Sequence, residues 1–360
     1  MVQHKPPART QLSGDRRFTW YTPAGKNPTE YEDLTVDQQS TPEHFAFQGW
    51  PIRFDDGRDP YFAESTVIRS VDWYAFRDPN ATIQREYIAE IKASEQALER
   101  SVMGARAAGL FSFANDDWVR TGLNKNLMTY PFIDYGMFLA QCYAEREALS
   151  DTITFAIVFA AADKLRHLQD VVYYSFDLAE VFPDFDDSES LTIWKTDPMW
   201  QGARSGIEQV IASNDWMEVV VAIHLCIEPI FGQLAKVEYF SRFAAANGDI
   251  VTPIMISSFE ADGVRHQRWV NALIEHVLND PEHGDNNHEI IAGWIAKWTA
   301  IADEAASDFA PAFTSAPICP TTFEEAFERV HAALDVTLDW LNLPSRQYAN
   351  SAKGSQRVSA

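Results

Sequence analysis

The chain has 360 residues, 46% of them hydrophobic and 13% aromatic, with 52 acidic side chains against 29 basic ones and a net charge of -23. That size and composition support one large core, or one core with an arm. A surface this acidic repels phosphate backbones and anionic headgroups, so neither nucleic acid nor a membrane is an expected partner. Cys142, Cys226 and Cys319 are odd in number and far apart, which gives neither a disulfide framework nor a CxxC metal site. The opening MVQHKPPARTQLSGDRR lacks an apolar signal core, and the apolar run 155–162 is too short to span a bilayer, so a cytoplasmic location is expected.

Residues 1–80 hold eight of the 18 prolines, and they are dense in aromatic residues. Proline blocks helix interiors and central strands, while a disordered linker is poor in rings. The stretch reads as an extended arm that buries its rings on a surface, either that of its own domain or that of a partner subunit. From Asp78-Pro79-Asn80, a helix-start signal, apolar residues recur at helical spacing: Ile83, Tyr87, Ile88, Ile91 and Leu98. Further helical runs cover 100–113, 116–148, 150–180, 201–213, 215–246, 251–278, 286–309 and 322–341, with no strand repeat. The runs 150–180 and 215–246 are apolar almost all round, which puts them at the centre of a bundle. The expected division is an arm at 1–80, an all-α bundle at 81–343 and a frayed polar tail at 344–360.

Two segments repeat. Asp163-Lys164-Leu165-Arg166-His167 and Asp262-Gly263-Val264-Arg265-His266 both read D-x-x-R-H. Carboxylate-bridged di-iron sites in four-helix bundles use two Glu-x-x-His pairs plus one Glu from each of two other helices. The i, i+3 spacing sets carboxylate and imidazole on one helix face. In such sites the motif reads D-E-x-R-H, with Asp and Arg orienting the His. Here the orienting residues and the His persist in both copies, whereas Lys164 and Gly263 stand where the metal-binding Glu belongs. Asp134 and Glu228 lie about one helix before each motif, as the partner acids would. A protonated Lys offers no lone pair and Gly offers no side chain, so Lys164, His167, Gly263 and His266 read as degenerate ligand positions, and Asp163, Arg166, His167, Asp262, Arg265 and His266 as a buried, metal-free polar network. The competing reading is a surviving mononuclear metal site.

Other histidines read as bland. Glu328-Arg329-Val330-His331 is a literal Glu-x-x-His but stands alone, as a solvated helix face. His224 and Glu228 read as core residues, and His276, His283 and His288 as flanking a solvated loop at 279–287. No phosphate-binding loop, dinucleotide fingerprint or nucleophile elbow is present in the sequence.

At these residues the chain resembles the small (beta) hydroxylase subunit of soluble di-iron monooxygenases. The resemblance includes Phe18-Thr19-Trp20-Tyr21, the segment Asp72-Trp73-Tyr74-Ala75-Phe76-Arg77-Asp78-Pro79 and both D-x-x-R-H helices. It leans toward the propane monooxygenase type. It implies a ferritin-like (ribonucleotide-reductase-like) bundle without catalytic residues of its own, paired with a large (alpha) subunit in an (alpha-beta)2 core. It also implies di-iron in that alpha subunit, a reductase with FAD, an iron-sulfur cluster and NADH, and a small coupling protein. Two other readings stand beside it: a catalytic subunit with an atypical metal site, and a stand-alone helical scaffold.

Overall fold

The computed structural model describes residues 21–38 and 65–345. The expected arm at 1–20 and 39–64, and the expected tail from 346 onward, lie outside the described residues. Within them the chain is helical and contains no strand.

Four long helical segments form the centre. α4 (Pro131–Glu147) and α5 (Asp151–Val181) are joined through Ala148, Leu149 and Ser150, so they run antiparallel. α8 (Trp216–Val221), π-helical turns over Ala222–Gly232 and Leu234–Ser241, and α9 (Arg242–Ala246) make one continuous rod. The rod turns back into α10 (Val251–Leu278) at Asn247-Gly248. Gly248 has φ 79°, and a Cβ there would stand 2.1 Å from the Phe113 carbonyl oxygen, so only glycine fits this corner. Pro229 inside the rod removes a helical donor and sits in its π-helical part.

α2 (Gln84–Ala107) crosses α10, while α7 (Pro198–Ile211), α11 (Gly284–Phe309) and α13 (Phe323–Trp340) cover the rod and α4. The core includes fully buried Trp118, Trp200, Trp216, Trp269 and Trp298. By length and composition the rod Trp216–Ala246 could cross a membrane, but 78% of its apolar window is buried, as the central helix of a packed bundle requires.

The helical runs differ from expectation where local signals compete. The expected run at 100–113 is the end of α2 followed by a 3-10 turn (Leu110–Phe113). The run 116–148 breaks before Pro131, which begins α4 at its first turn. α6 (Ser190–Thr196) was not expected, because the polar stretch before it hides its short apolar face.

The segment 65–72 is stitched to the bundle at alternate residues, as an extended chain would be. Ser65 Oγ donates to the Glu147 carbonyl, Val67 N to Asp215, Arg69 N to Asn287 and Val71 N to Asp280. Asp215 and Asp280 also accept backbone N–H groups, at the start of α8 and just before α11. Downstream, Tyr31 of α1 (Glu30–Thr35) accepts from Asp78 N, and Arg77 pairs with Glu32. The described part of the expected arm therefore packs on its own bundle and contains one short α-helix and a 3-10 turn at Trp73–Ala75.

Asn287, with no exposed surface, bonds both backbone groups of Arg69 and the Val277 carbonyl. Asn287→Ala strands these groups and is expected to lower stability by about 2–4 kcal/mol. Denaturant melts would show the loss, and limited proteolysis would show faster cutting near residues 65–72. Unchanged stability would contradict the stitching.

Candidate functional site

α5 and α10 bring the two D-x-x-R-H motifs face to face, and each Asp serves the opposite motif. Asp163 Oδ2 accepts from His266 Nε2 at 2.8 Å and from Arg265 Nη2 at 2.5 Å. Asp262 Oδ2 accepts from His167 Nε2 at 2.9 Å and also from Arg166. Tyr87 of α2 closes the network by donating to Asp163 Oδ1 at 2.9 Å. Burial alone would raise the Asp163 carboxyl, but the hydrogen bond and charge of His266, together with Arg265, hold it below the usual carboxylate range.

Burial, reinforced by the charges of Lys164 and Arg166, pushes His167 well below its ordinary pKa, so the ring is neutral. Its proton sits on Nε2, facing Asp262, by the logic of the hydrogen bond. Nδ1 therefore carries a lone pair, and that nitrogen has no hydrogen-bond partner. The ring stacks on Phe259 with centroids 4.0 Å apart.

Beside this network runs a ladder of alternating charges. Asp134 Oδ1 (α4) lies 3.7 Å from Lys164 Nζ (α5), and Lys164 Nζ lies 2.9 Å from Glu228 Oε1 on the rod. Lys236 Nζ, two helical turns on, is 2.8 Å from Glu228 Oε2 and 3.8 Å from Glu260 Oε1 on α10. Asp134 and the two lysines are almost fully buried, and Glu260 reaches the surface. Burial pushes Asp134 up to about 6, against the lowering pull of Lys164 and Lys236. Burial also opposes ionisation of Glu228, yet the same two ammonium groups outweigh it and hold Glu228 well below the usual range. Lys236 is raised: burial would lower it, but Glu228 and Glu260 prevail.

The sequence reading named six positions. The structure brings Asp134, Lys164 and Glu228 into contact, and it ties His167 and His266 to the crossed carboxylates. Gly263 is different. It is half-buried, and a Cβ there would meet nothing within 4 Å. Lys236 and Glu260 were missed, because neither belongs to a motif and Lys236 lies on a rod whose π-helical turns upset ordinary spacing.

Four further histidines among the described residues have partners of their own. His224 Nε2 lies 3.1 Å from Gln141 Oε1, and burial keeps this ring neutral too. His331 is buried against Asp303 at 2.7 Å, which corrects the reading of a solvated face, although Glu328 is exposed. His276 contacts Ser70 and Asp72, and His288 contacts the Asn342 carbonyl. The expected loop 279–287 is shorter, since α11 begins at Gly284.

These residues do not fit a carboxylate-bridged metal pair. Ammonium groups contact both oxygens of Glu228, and one also faces Asp134, which leaves like charge where a cation would sit.

A family model for methane/phenol/alkene hydroxylases matches residues 50–281. The chain belongs to this family. It is 31% identical to the propane 2-monooxygenase hydroxylase component small subunit of Rhodococcus jostii, over 88% of this chain and 86% of that one. It is 29% identical to the methane monooxygenase component A beta chain of Methylococcus capsulatus, over 92% and 86%. The fold is similar to that of phenol hydroxylase from Pseudomonas sp. OX1, with TM-score 0.75 at 20% identity, over 89% of this chain and 92% of that one. In this hydroxylase-family bundle, ferritin-like in architecture, the ladder crosses all four central helical segments.

The raised Asp134 sets a pH dependence. Between the ordinary carboxylate pKa near 4 and about 6, the native chain holds a proton that the unfolded chain releases. This contribution to stability is therefore present at low pH and is lost as pH rises through that window, by about 3 kcal/mol. Asp134→Asn removes it, so the variant gains by that amount relative to the parent between pH 4 and pH 7. Asp170, also pushed up to about 6 by burial, titrates in both proteins and cancels. Parallel stability–pH curves from urea melts would contradict the assignment.

Proposed function

We propose that this chain is the non-catalytic small (beta) subunit of the hydroxylase component of a multicomponent, NADH-dependent di-iron monooxygenase. The carrying observation is the ladder: in a family named for hydroxylases, lysine ammonium groups contact the carboxylates that would hold metal. Iron, oxygen activation and substrate then belong to a large alpha subunit, paired with this chain in an (alpha-beta)2 core. The relatives' names support small hydrocarbons, propane-like alkanes first, as substrates of the whole enzyme. A coupling protein and a reductase carrying FAD and an iron-sulfur cluster complete the system, which we place in the cytoplasm.

The chain's own contribution is a rigid surface. The outward side of α4 and α5 presents Tyr135, Leu139, Val172, Tyr173 and Phe176, with Leu191 of α6 beside them. Tyr173 is 67% exposed and Phe176 62%, which is unusual for large rings on a folded surface. A groove of about 440 Å³ opens here, lined by Met128, Pro131, Phe132, Leu168 and Val171 among others. Aromatic anchors around an apolar groove are what an obligate interface between subunits uses. We assign this face to the alpha subunit.

Co-expression with the alpha subunit tests the reading. The chain is expected to co-purify with it, and to show no oxygenase turnover alone. Tyr173→Asp with Phe176→Asp should weaken the complex by roughly tenfold or more, as loss of aromatic anchors does, while the helical circular dichroism stays unchanged. Oxygenase turnover by the isolated chain would favour an atypical catalytic subunit. A stable monomer indifferent to the alpha subunit would favour a stand-alone scaffold.

A further inference from the structure

The face assigned above to the alpha subunit continues along most of α5. Phe155, Val158, Ala162 and Leu165 are half-buried, and every other residue between Phe155 and Leu165 is buried. The line goes on through Gln169 to Val172 and Phe176, all three exposed. The steps are three and four residues in strict alternation, which keeps all these positions on one side of the helix over about 30 Å. Gln169 is the one polar member of the line. Beside it, α4 presents Phe132, Tyr135, Leu139 and Cys142 at the same alternating steps, half-buried or exposed.

An outward apolar line that repeats at three and four residues over three heptads is a seam that a second helix fills with its own side chains. We propose that one long helix of the alpha subunit lies along this seam, with Tyr135 and Leu139 of α4 against its flank and a hydrogen-bonding side chain facing Gln169. The proposal rests on the reading of this chain as a beta subunit. A second copy of the chain is a poor occupant, because two molecules of net charge -23 repel each other. The local charge also points to a different chain. Arg166 pairs with Asp170, and Arg106 with Asp177 and Glu180, but Asp187, in the wall of the groove, has no ion pair among the described residues. The incoming helix therefore carries Lys or Arg where it passes Asp187. Gln169 sets the register. A polar side chain in an apolar seam is unfavourable unless a polar group faces it, so one alignment is preferred over its neighbours a heptad away.

The test uses the full-length chain, alone and co-expressed with the alpha subunit. Single variants Val158→Cys, Leu165→Cys and Val172→Cys are made in a Cys142→Ala/Cys319→Ala background, with Glu99→Cys on the exposed side of α2 as control. Each is alkylated with a maleimide. In the complex the three seam cysteines are expected to react roughly tenfold or more slowly than in the free chain, while the control is unchanged. Gln169→Leu is expected to weaken the complex roughly tenfold with unchanged helical circular dichroism, because it leaves the facing polar group buried and unpaired. If the complex forms but only Val172→Cys is protected, the seam is overturned and the assignment of the alpha subunit stands. Equal or tighter binding by Gln169→Leu overturns its register role. If no complex forms, both readings fail. A free chain that dimerises through protected seam cysteines, or a free monomer in which they do not react, also overturns the proposal, since the occupant is then a second copy or the chain itself.

Discussion

Five charges of alternating sign run through the middle of this bundle, from Asp134 through Lys164, Glu228 and Lys236 to Glu260. Each sits on, or bridges between, central helices whose remaining contacts are largely apolar. A buried charge is tolerable only when it is paired, so the four helices must keep the register that pairs them. The crossed aspartates impose the same demand on α5 and α10 from the other side, since each motif's His and Arg bond the opposite motif's Asp. The polar centre thus specifies how the helices sit, and the surrounding tryptophans and aliphatic residues supply the burial that stabilises them.

Much of this was legible in the sequence. Helical periodicity marked α5, α10, α11 and α13, and the all-round apolar character of 215–246 marked the central rod. The repeated D-x-x-R-H exposed the internal symmetry, because an i, i+3 or i, i+4 pattern fixes which side chains share a face. What escaped lay where local spacing carries no message. Lys236 reaches Glu228 across two turns of a π-helical stretch, and Glu260 has no motif around it. His331 looked solvated because its neighbours on α13 are charged, but its own ring turns inward to Asp303. The open space at Gly263 could not be read either, since a missing side chain says nothing about what fills its place.

The same contrast separates the two faces of α5. Its inner face holds Asp163, Lys164, Arg166 and His167, every one buried. Its outer face holds Val172, Tyr173 and Phe176, exposed although apolar. The helix buries these charges among apolar neighbours such as Ile157, Val171 and Leu178, and it exposes large apolar residues among acids. Exposed rings beside a buried charged centre suit the proposed subunit role, in which another chain would cover the outer face. No Lys or Arg occurs between Arg166 and Lys195, while seven acids do, so this stretch is acidic, although Arg106 pairs with Asp177 and Glu180 and Arg166 with Asp170. Long-range attraction would favour a partner with basic residues around its own apolar patch.

The central claim is that ammonium groups, not metal ions, balance the buried carboxylates. Crystals of the full-length chain grown with Fe(II) and measured across the iron absorption edge address it most directly. The account predicts no anomalous peak in the bundle and Lys164 Nζ in contact with Glu228. A pair of iron peaks between His167 and His266, bridged by Glu228, would contradict it.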